Sequence, residues 1–347
     1  EDNIINKARN RTWYFRKGNY KFKYDSVFVI DFKSLDLFCA TRNDSTEIRD
    51  TQGKYYVSDE KWIGKKGRVF WNRVGLEERM VYAELSNYSI NTVQIRYEAD
   101  SVLFYNKEYF DHPLPGKLEE RISSSPASHK SSYPRFQSYE KGYYFDDLLK
   151  NVDYHGGVAM QGANLLCSGT QKSYARLDFR IAGKYNASFR SPEFRVTHEN
   201  VTSSRTIFIV YNKEDSIYHP KLRMKYDLAK EEIRLYQIDD KNYIPFYDSY
   251  HRLDIYAEAL YWSINSNDIT FESIRSFSNE STAIFESDNF FSERDFYSLQ
   301  GLDRLNPLIL IRNYANTFGT NIVKPSLLAE YMKKPEEQAI AFLLMLE

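Results

Sequence analysis

Between Trp13 and about residue 275 the chain is written as short segments in which apolar and polar residues alternate, separated by turn residues. The first set runs to about Ile122 and includes "KFKYDSVFVIDF", "LDLFCAT", "KYYVS", "RVFWNRV", "VYAELSNYSI" and "VQIRYEADSVLFY". The second, from 140 to about 275, includes "YARLDFRI", "ASFRSPEFRV", "RTIFIVY", "KLRMKY" and "EIRLYQI", with strands recurring roughly every 8–12 residues. Alternation such as Val93, Ile95, Tyr97 describes a half-buried strand with one wet face. Aromatic residues make up 16% of the chain, led by 29 Tyr and 23 Phe, and these suit pleated surfaces better than helix interiors. The fold class expected is mainly β: two β-sandwich, jelly-roll-like or stacked-β domains with a small C-terminal helical module. A closed sandwich and an open stacked groove both fit the pattern.

At 347 residues the chain exceeds one ordinary core. The stretch "RISSSPASHKSSYPR", 121–135, is rich in Ser and Pro without periodicity and marks a boundary. The expected organisation is a first β domain over 1–122, a linker over 123–139, a second β domain over 140–283 and a helical module over 284–347. "DSVLFYNKEYFDHPLPGKL" at 100–118 and "DSIYHPKLRMKY" at 215–226 echo one another loosely, as a remnant repeat or by chance.

Four helices are expected in the module. Ser292 with Asp295 resembles a capping box, and Gly301 sits where that helix would stop. Asn306 before Pro307 is a second N-cap, with Leu305, Leu308, Ile309 and Arg312 at helical spacing and Gly319 as the stop. Pro325 and Pro335 open two more.

Charge is balanced, 47 Lys and Arg against 48 Asp and Glu, which favours neither nucleic acid nor an anionic membrane as partner. The longest apolar run, "AIAFLLML", is far shorter than the roughly 20 residues of a membrane helix, so no spanning segment is expected. "EDNIINKARN" lacks the design of a signal peptide, and "PEEQAIAFLLMLE" stops within an apolar helical pattern, which reads as a fragment of a longer chain. Cys39 and Cys167 lack the spacing of a zinc site and are either two buried thiols or one long-range bridge.

Each candidate for chemistry has a plainer reading. Gly157 and Gly162 in "YHGGVAMQGANLLCSGT" have the spacing of a phosphate loop, but Ala163 and Asn164 follow where Lys and Ser or Thr are required, so strand turns are expected. The histidines, His112, His129, His155, His198, His219 and His251, form no local metal pair. A site assembled at a distance would draw on His155, His219 and His251 with Asp153 or Asp248. In "FYDSYHRLDIYAEALYW" Asp248 could orient His251 while Glu258 acts as general acid or base; the alternative is a loop before a core strand, with Arg252 and Asp254 solvated.

Trp62 and Trp71, near Tyr55 and Tyr56, would stack on sugars if exposed on a concave sheet, and fill the core if not. Gly64 and Gly67 are expected in a hairpin turn. The helical end has a helix-turn-helix rhythm, but the second helix opens Pro335-Glu336-Glu337, acidic where DNA would approach. Sequons at Asn10, Asn43, Asn87, Asn186, Asn200 and Asn279 mark polar turns.

"WIGKKGRVFWNRVGLEERMVYAEL", "YEADSVLFYNKEYFDHPLPGKL", "GGVAMQGANLLCSGT" and "DSYHRLDIYAEALYW" resemble segments of very large, functionally uncharacterised cell-envelope proteins of Bacteroidetes-type bacteria. The resemblance runs from about Trp62 to the C-terminus and implies location and size rather than activity. It implies a β-rich assembly outside the cytoplasm, periplasmic or at the outer membrane. A looser likeness is to the stacked β-jellyrolls that carry lipid across the periplasm. The expected function is a non-enzymatic extracytoplasmic scaffold or binding component with protein partners. The alternatives are a carbohydrate-binding module accessory to glycan degradation and a lipid-carrying β-groove. No catalytic residue, metal or cofactor is assigned, and the ligand is left unknown.

Overall fold

The computed structural model describes residues 2–25, 27–122, 132–170, 172–181, 184–239, 244–266, 268–272, 284–287 and 307–344. The chain forms two compact units, Glu1–Phe285 and Glu286–Glu347.

The first unit is a single antiparallel sheet whose described strands number 25. It begins with β1 (Asn3–Ala8), β2 (Arg11–Asp25), β3 (Val27–Ala40) and β4 (Ser45–Tyr56), each paired to the next. The far side of β4 is then covered by two short strands, β5 (Lys61–Lys65) and β6 (Arg68–Phe70). These pair in turn with β8 (Asn87–Asn91) and β7 (Val81–Leu85), after which β9 (Arg96–Asn106) spans both again. One lap of the sheet is therefore either a long strand or the same strand broken in two. Later laps follow the same scheme, as where β13 (Val152–Gln161) is flanked by β14 (Asn164–Ser168) and β15 (Ala175–Ile181).

The breaks lie in register with mid-strand irregularities. β2 shifts between Arg16 and Asn19, β3 between Phe32 and Leu35, and β10 (Leu114–Arg121) between Gly116 and Leu118. Ladder partners carry this line from Leu35 to Thr51, and Ser86 links Lys66 to Ser101 through backbone bonds. It continues from Gly116 to Ser138. Bulges bend strands, so the line is a crease along which the sheet folds over.

Closure is visible at the N-terminal end. The Trp13 indole N–H donates to the Gln94 carbonyl (3.1 Å) and Arg11 Nε to the Thr92 carbonyl (2.7 Å). In the sheet β2 and β8 are separated by β3, β4 and β5, and only a folded sheet brings these residues together.

Alternation places one row of side chains inside the fold. Trp13, Phe32, Trp62, Trp71, Phe104, Phe136, Phe179, Phe189 and Phe208 are all below 2% or at 2% exposed, within one buried cluster that extends from Trp13 to Trp262. Rings pass contact from lap to lap: Phe32 to Trp62 (5.6 Å), Trp71 to Phe104 (6.1 Å), Phe104 to Phe136 (4.4 Å). At about 25 cal/mol per Å² of apolar surface removed from water, this file is the main stabilising term.

The mainly β class with a helical end is what the structure has. The Ser/Pro-rich boundary meets a different situation. β11 (Arg135–Ser138), a strand inside the expected 123–139 linker, is hydrogen-bonded to β10 on one side and to β13 on the other, so the described strands of the 1–122 and 140–283 regions share one sheet. Residues 123–131 themselves lie outside the described residues. The Val93, Ile95, Tyr97 alternation holds only from Arg96 onward: Val93 sits in the turn before β9 and is 45% exposed, while Tyr97 is buried. Nor does the echo map onto equivalent places. His112-Pro113 lies between β9 and β10, whereas His219-Pro220 lies within β19 (Asp215–Asp227).

The second unit contains α1 (Pro307–Phe318), α2 (Pro325–Met332) and α3 (Glu336–Leu344), which bury Leu310, Tyr314, Leu328, Ala339 and Phe342 together. Gly319 ends α1 at φ +60°, the left-handed conformation that suits glycine. The helix expected between Ser292 and Gly301 and the cap at Asn306 lie outside the described residues.

Candidate functional site

Where the crease interrupts the ladder, backbone groups lose their strand partners, and a buried orphan costs about as much as a lost hydrogen bond. Inward-facing polar side chains take their place. Thr51 donates to the Lys66 carbonyl (3.0 Å) and shares a bond with the Tyr88 hydroxyl (2.6 Å). Ser138 Oγ donates to the Glu140 carbonyl (2.7 Å) and accepts from the Val158 N–H (3.0 Å). Ser191 donates to the Glu193 carbonyl (2.8 Å) and meets Ser203 at 2.7 Å. Gln237 Nε2 donates to the carbonyls of Ile244 (2.8 Å) and Ala257 (3.2 Å).

His219 belongs to the same set. Its Nε2–H donates to the Ile244 carbonyl (2.9 Å) and its Nδ1 accepts from the Lys221 N–H (3.1 Å). The ring is fully buried, and burial pulls its pKa down to about 4, so it is neutral at pH 7. Both nitrogens are engaged in holding the crease.

The glycine-rich segment is solved the same way. "YHGGVAMQ" lies in β13 and "NLLCS" is β14, with Gly162 at φ +59° in the turn between them. The Tyr154 hydroxyl curls back to donate to the Gly157 carbonyl (2.6 Å), and a Cβ at Gly156 would stand 2.2 Å from that oxygen. Glycine is required for a buried phenol, and the segment opens no helix onto an anion.

Asp153 is 1% exposed and accepts from Tyr144 OH (3.2 Å), the Asp147 N–H (3.0 Å) and Arg180 (2.9 Å). Asp248 and His251 do meet, Nδ1 to Oδ2 at 2.8 Å, but Asp248 also accepts from the Tyr250 and His251 N–H groups, which makes it the cap of a turn. Glu258 stands before β23 (Ala259–Ser263), its backbone bonded to Gln237 and Glu272. His155 pairs across to Tyr144 and Arg176 in the sheet, His198 contacts Glu108 (2.8 Å), and His112 stacks near Phe145. His129 lies outside the described residues. Among the described residues no three His, Cys, Asp or Glu side chains gather to hold a metal ion.

Trp62 and Trp71 are both 0% exposed, so the sugar platform anticipated for them is absent from those positions. Trp71 instead donates to Glu120 Oε2 (2.8 Å). Glu120 is fully buried and ion-paired with Arg73, which also binds Asp44 (2.9 Å). Burial holds the Glu120 carboxyl above its ordinary range, against the opposing pull of the guanidinium. The triad pins the turn after β6 to the β3–β4 turn and to β10, and sequence reasoning missed it. Cys39 and Cys167 are free, buried thiols; burial pushes Cys39 up to about 12 and raises Cys167 as well, so neither offers a thiolate at neutral pH.

What remains available is the wet face. Two depressions flank β9, one of about 650 Å³ lined by Asp50, Gln52, Lys65, Arg68, Glu84 and Leu103. The other, of about 580 Å³, is lined by Glu98, Asp100, Lys117, Glu119, Arg135 and Gln161. Each holds an ion pair: Arg68 with Glu84 (3.0 Å) in the first and Lys117 with Asp100 (2.9 Å) in the second. Among the described residues no helix is long and apolar enough to cross a membrane. Comparison with known proteins returned no similar protein-family model, curated protein or solved structure.

Proposed function

We propose that the chain is a non-enzymatic, partner-binding scaffold within a larger cell-envelope protein, acting outside the cytoplasm. The supporting observation is the filled interior. From Trp13 to Trp262 the interior is a continuous buried cluster of rings and other apolar side chains, with hydrogen-bonded polar groups at the crease, and an acyl chain entering it would have to displace them at several kcal/mol each. That favours a stiff member over a lipid conduit. Of the polar residues that sequence offered for chemistry, Asp153, His219, Asp248 and His251 have side chains engaged in holding the crease and the turns, which favours the wet face and the sheet edges for recognition. The envelope location rests on the resemblance of the quoted segments.

The test is to immobilise the intact chain and pass over it solubilised envelope proteins and, separately, polysaccharides. A protein partner retained in stoichiometric amount and displaced by free chain is the expected result. Selective retention of a polysaccharide, or turnover of a small substrate, would replace this reading.

A further inference from the structure

We infer that the free edge of β2 is a docking site for an extended, acidic partner segment that adds as a strand beside Asn19–Tyr24. The inference rests on the scaffold reading and names the partner's chemistry. Among the described residues, β1 covers β2 only from Arg11 to Phe15, and from Arg16 onward β2 is paired only with β3. The backbone groups on its other side are open, the arrangement that invites strand addition.

The side chains say what would sit there. Tyr20, Phe22 and Tyr24 alternate on the face that carries Phe15 and Phe32 into the core. Tyr20 touches both of those rings, at 5.7 and 5.5 Å, Phe22 touches Tyr20 at 5.4 Å, and Phe28 stacks on Phe22 at 5.7 Å. Along this file exposure climbs from 6% at Phe15 and 2% at Phe32 to 44% at Tyr20, 61% at Phe22 and 82% at Tyr24. The core face therefore continues past the point where anything covers it, and aromatic surface of this kind marks an interaction site.

The opposite face sets the charge. Lys21, Lys23 and Lys54 share that face with Asp31 through the β2–β3 and β3–β4 pairings; Lys23 is bonded to Asp31 (2.6 Å), and with Lys54 and Lys33 it holds that carboxyl below its usual range. Where β1 leaves this edge, Asp2, the residue before it, sets one carboxylate on Arg16 at 2.6 Å. A partner with apolar residues on alternate positions and Asp or Glu between them satisfies the open ladder, the aromatic file and the lysines together.

The probe is a synthetic peptide of about ten residues alternating Phe or Ile with Glu, long enough to span the open edge. A scrambled peptide of the same composition and anionic phosphatidylglycerol vesicles serve as the other arms. With the intact chain, the alternating peptide is expected to bind and to slow amide exchange at Asn19–Tyr24. Binding should weaken about tenfold or more in F22S/Y24S, whose melting temperature should match the parent because both residues are exposed. Equal binding of the scrambled peptide, or binding to vesicles without peptide binding, overturns the proposal. If F22S/Y24S still retains the envelope partner while the peptide fails, the edge proposal falls and the scaffold reading stands. If the parent chain retains no partner, the scaffold reading falls first.

Discussion

Phe104 and Phe22 are the same residue on the same face of the same kind of strand, and they meet opposite fates. Phe104 is 0% exposed between Trp71 and Phe136, while Phe22 is 61% exposed beside Tyr20 and Phe28. Alternation fixes which face a ring points to; whether another layer covers that face is decided by contacts far away in the chain. In the middle of the unit the sheet folds over and the face is sealed. At the β2–β3 hairpin it is open.

The contrast can be broken most sharply by mutation. Arg73→Ala leaves Glu120 buried without its partner and should cost about 3–5 kcal/mol, read as a large drop in the denaturation midpoint. Phe104→Ala should cost about the same, about 3–5 kcal/mol, by opening a cavity in the sealed file. Equal destabilisation by Phe22→Ala would abolish the contrast, since an exposed ring is expected to change stability by about 0.5 kcal/mol or less.

Acid sharpens it next. His219 has a folded pKa near 4 against 6.5 for the free side chain. The unfolded chain therefore binds the extra proton first, and stability present above pH 6.5 is lost as pH falls towards 4, by about 3 kcal/mol over the window. His219→Gln should flatten that part of the stability profile relative to the parent. A smaller effect is expected for Gly156→Ala, about 1–3 kcal/mol from the clash with the Tyr154 hydroxyl.

The strands were legible in the sequence because their signal is local. Leu35, Leu37 and Cys39 in "LDLFCAT" are all inward and buried, as period-two alternation requires. The helical end was equally legible from Pro307, Gly319 and Pro325, where each punctuating residue acts within one turn. The crease was not, although its residues were in view. Thr51, Ser138, Ser203, His219 and Gln237 interrupt inward-facing rows, yet only His219 stands out in the sequence, as a candidate metal ligand, because the broken ladder these residues repair is set by distant pairings. The Arg73–Glu120 pair joins residues 47 apart, beyond any local pattern. The same holds for continuity across the Ser/Pro-rich stretch: composition reports a loop but not that the strands at its two ends pair.

The most direct test is native-state amide exchange on the intact chain. Amides of Val102–Phe104, Leu118 and Phe136 should exchange only through global opening, while the edge-facing amides of Asn19–Tyr24 exchange rapidly and slow on adding the alternating acidic peptide. Protection of Asn19–Tyr24 in the free chain equal to that around Phe104, or separate opening of the strands before and after the Ser/Pro-rich stretch, would contradict a single folded-over sheet with one face left open.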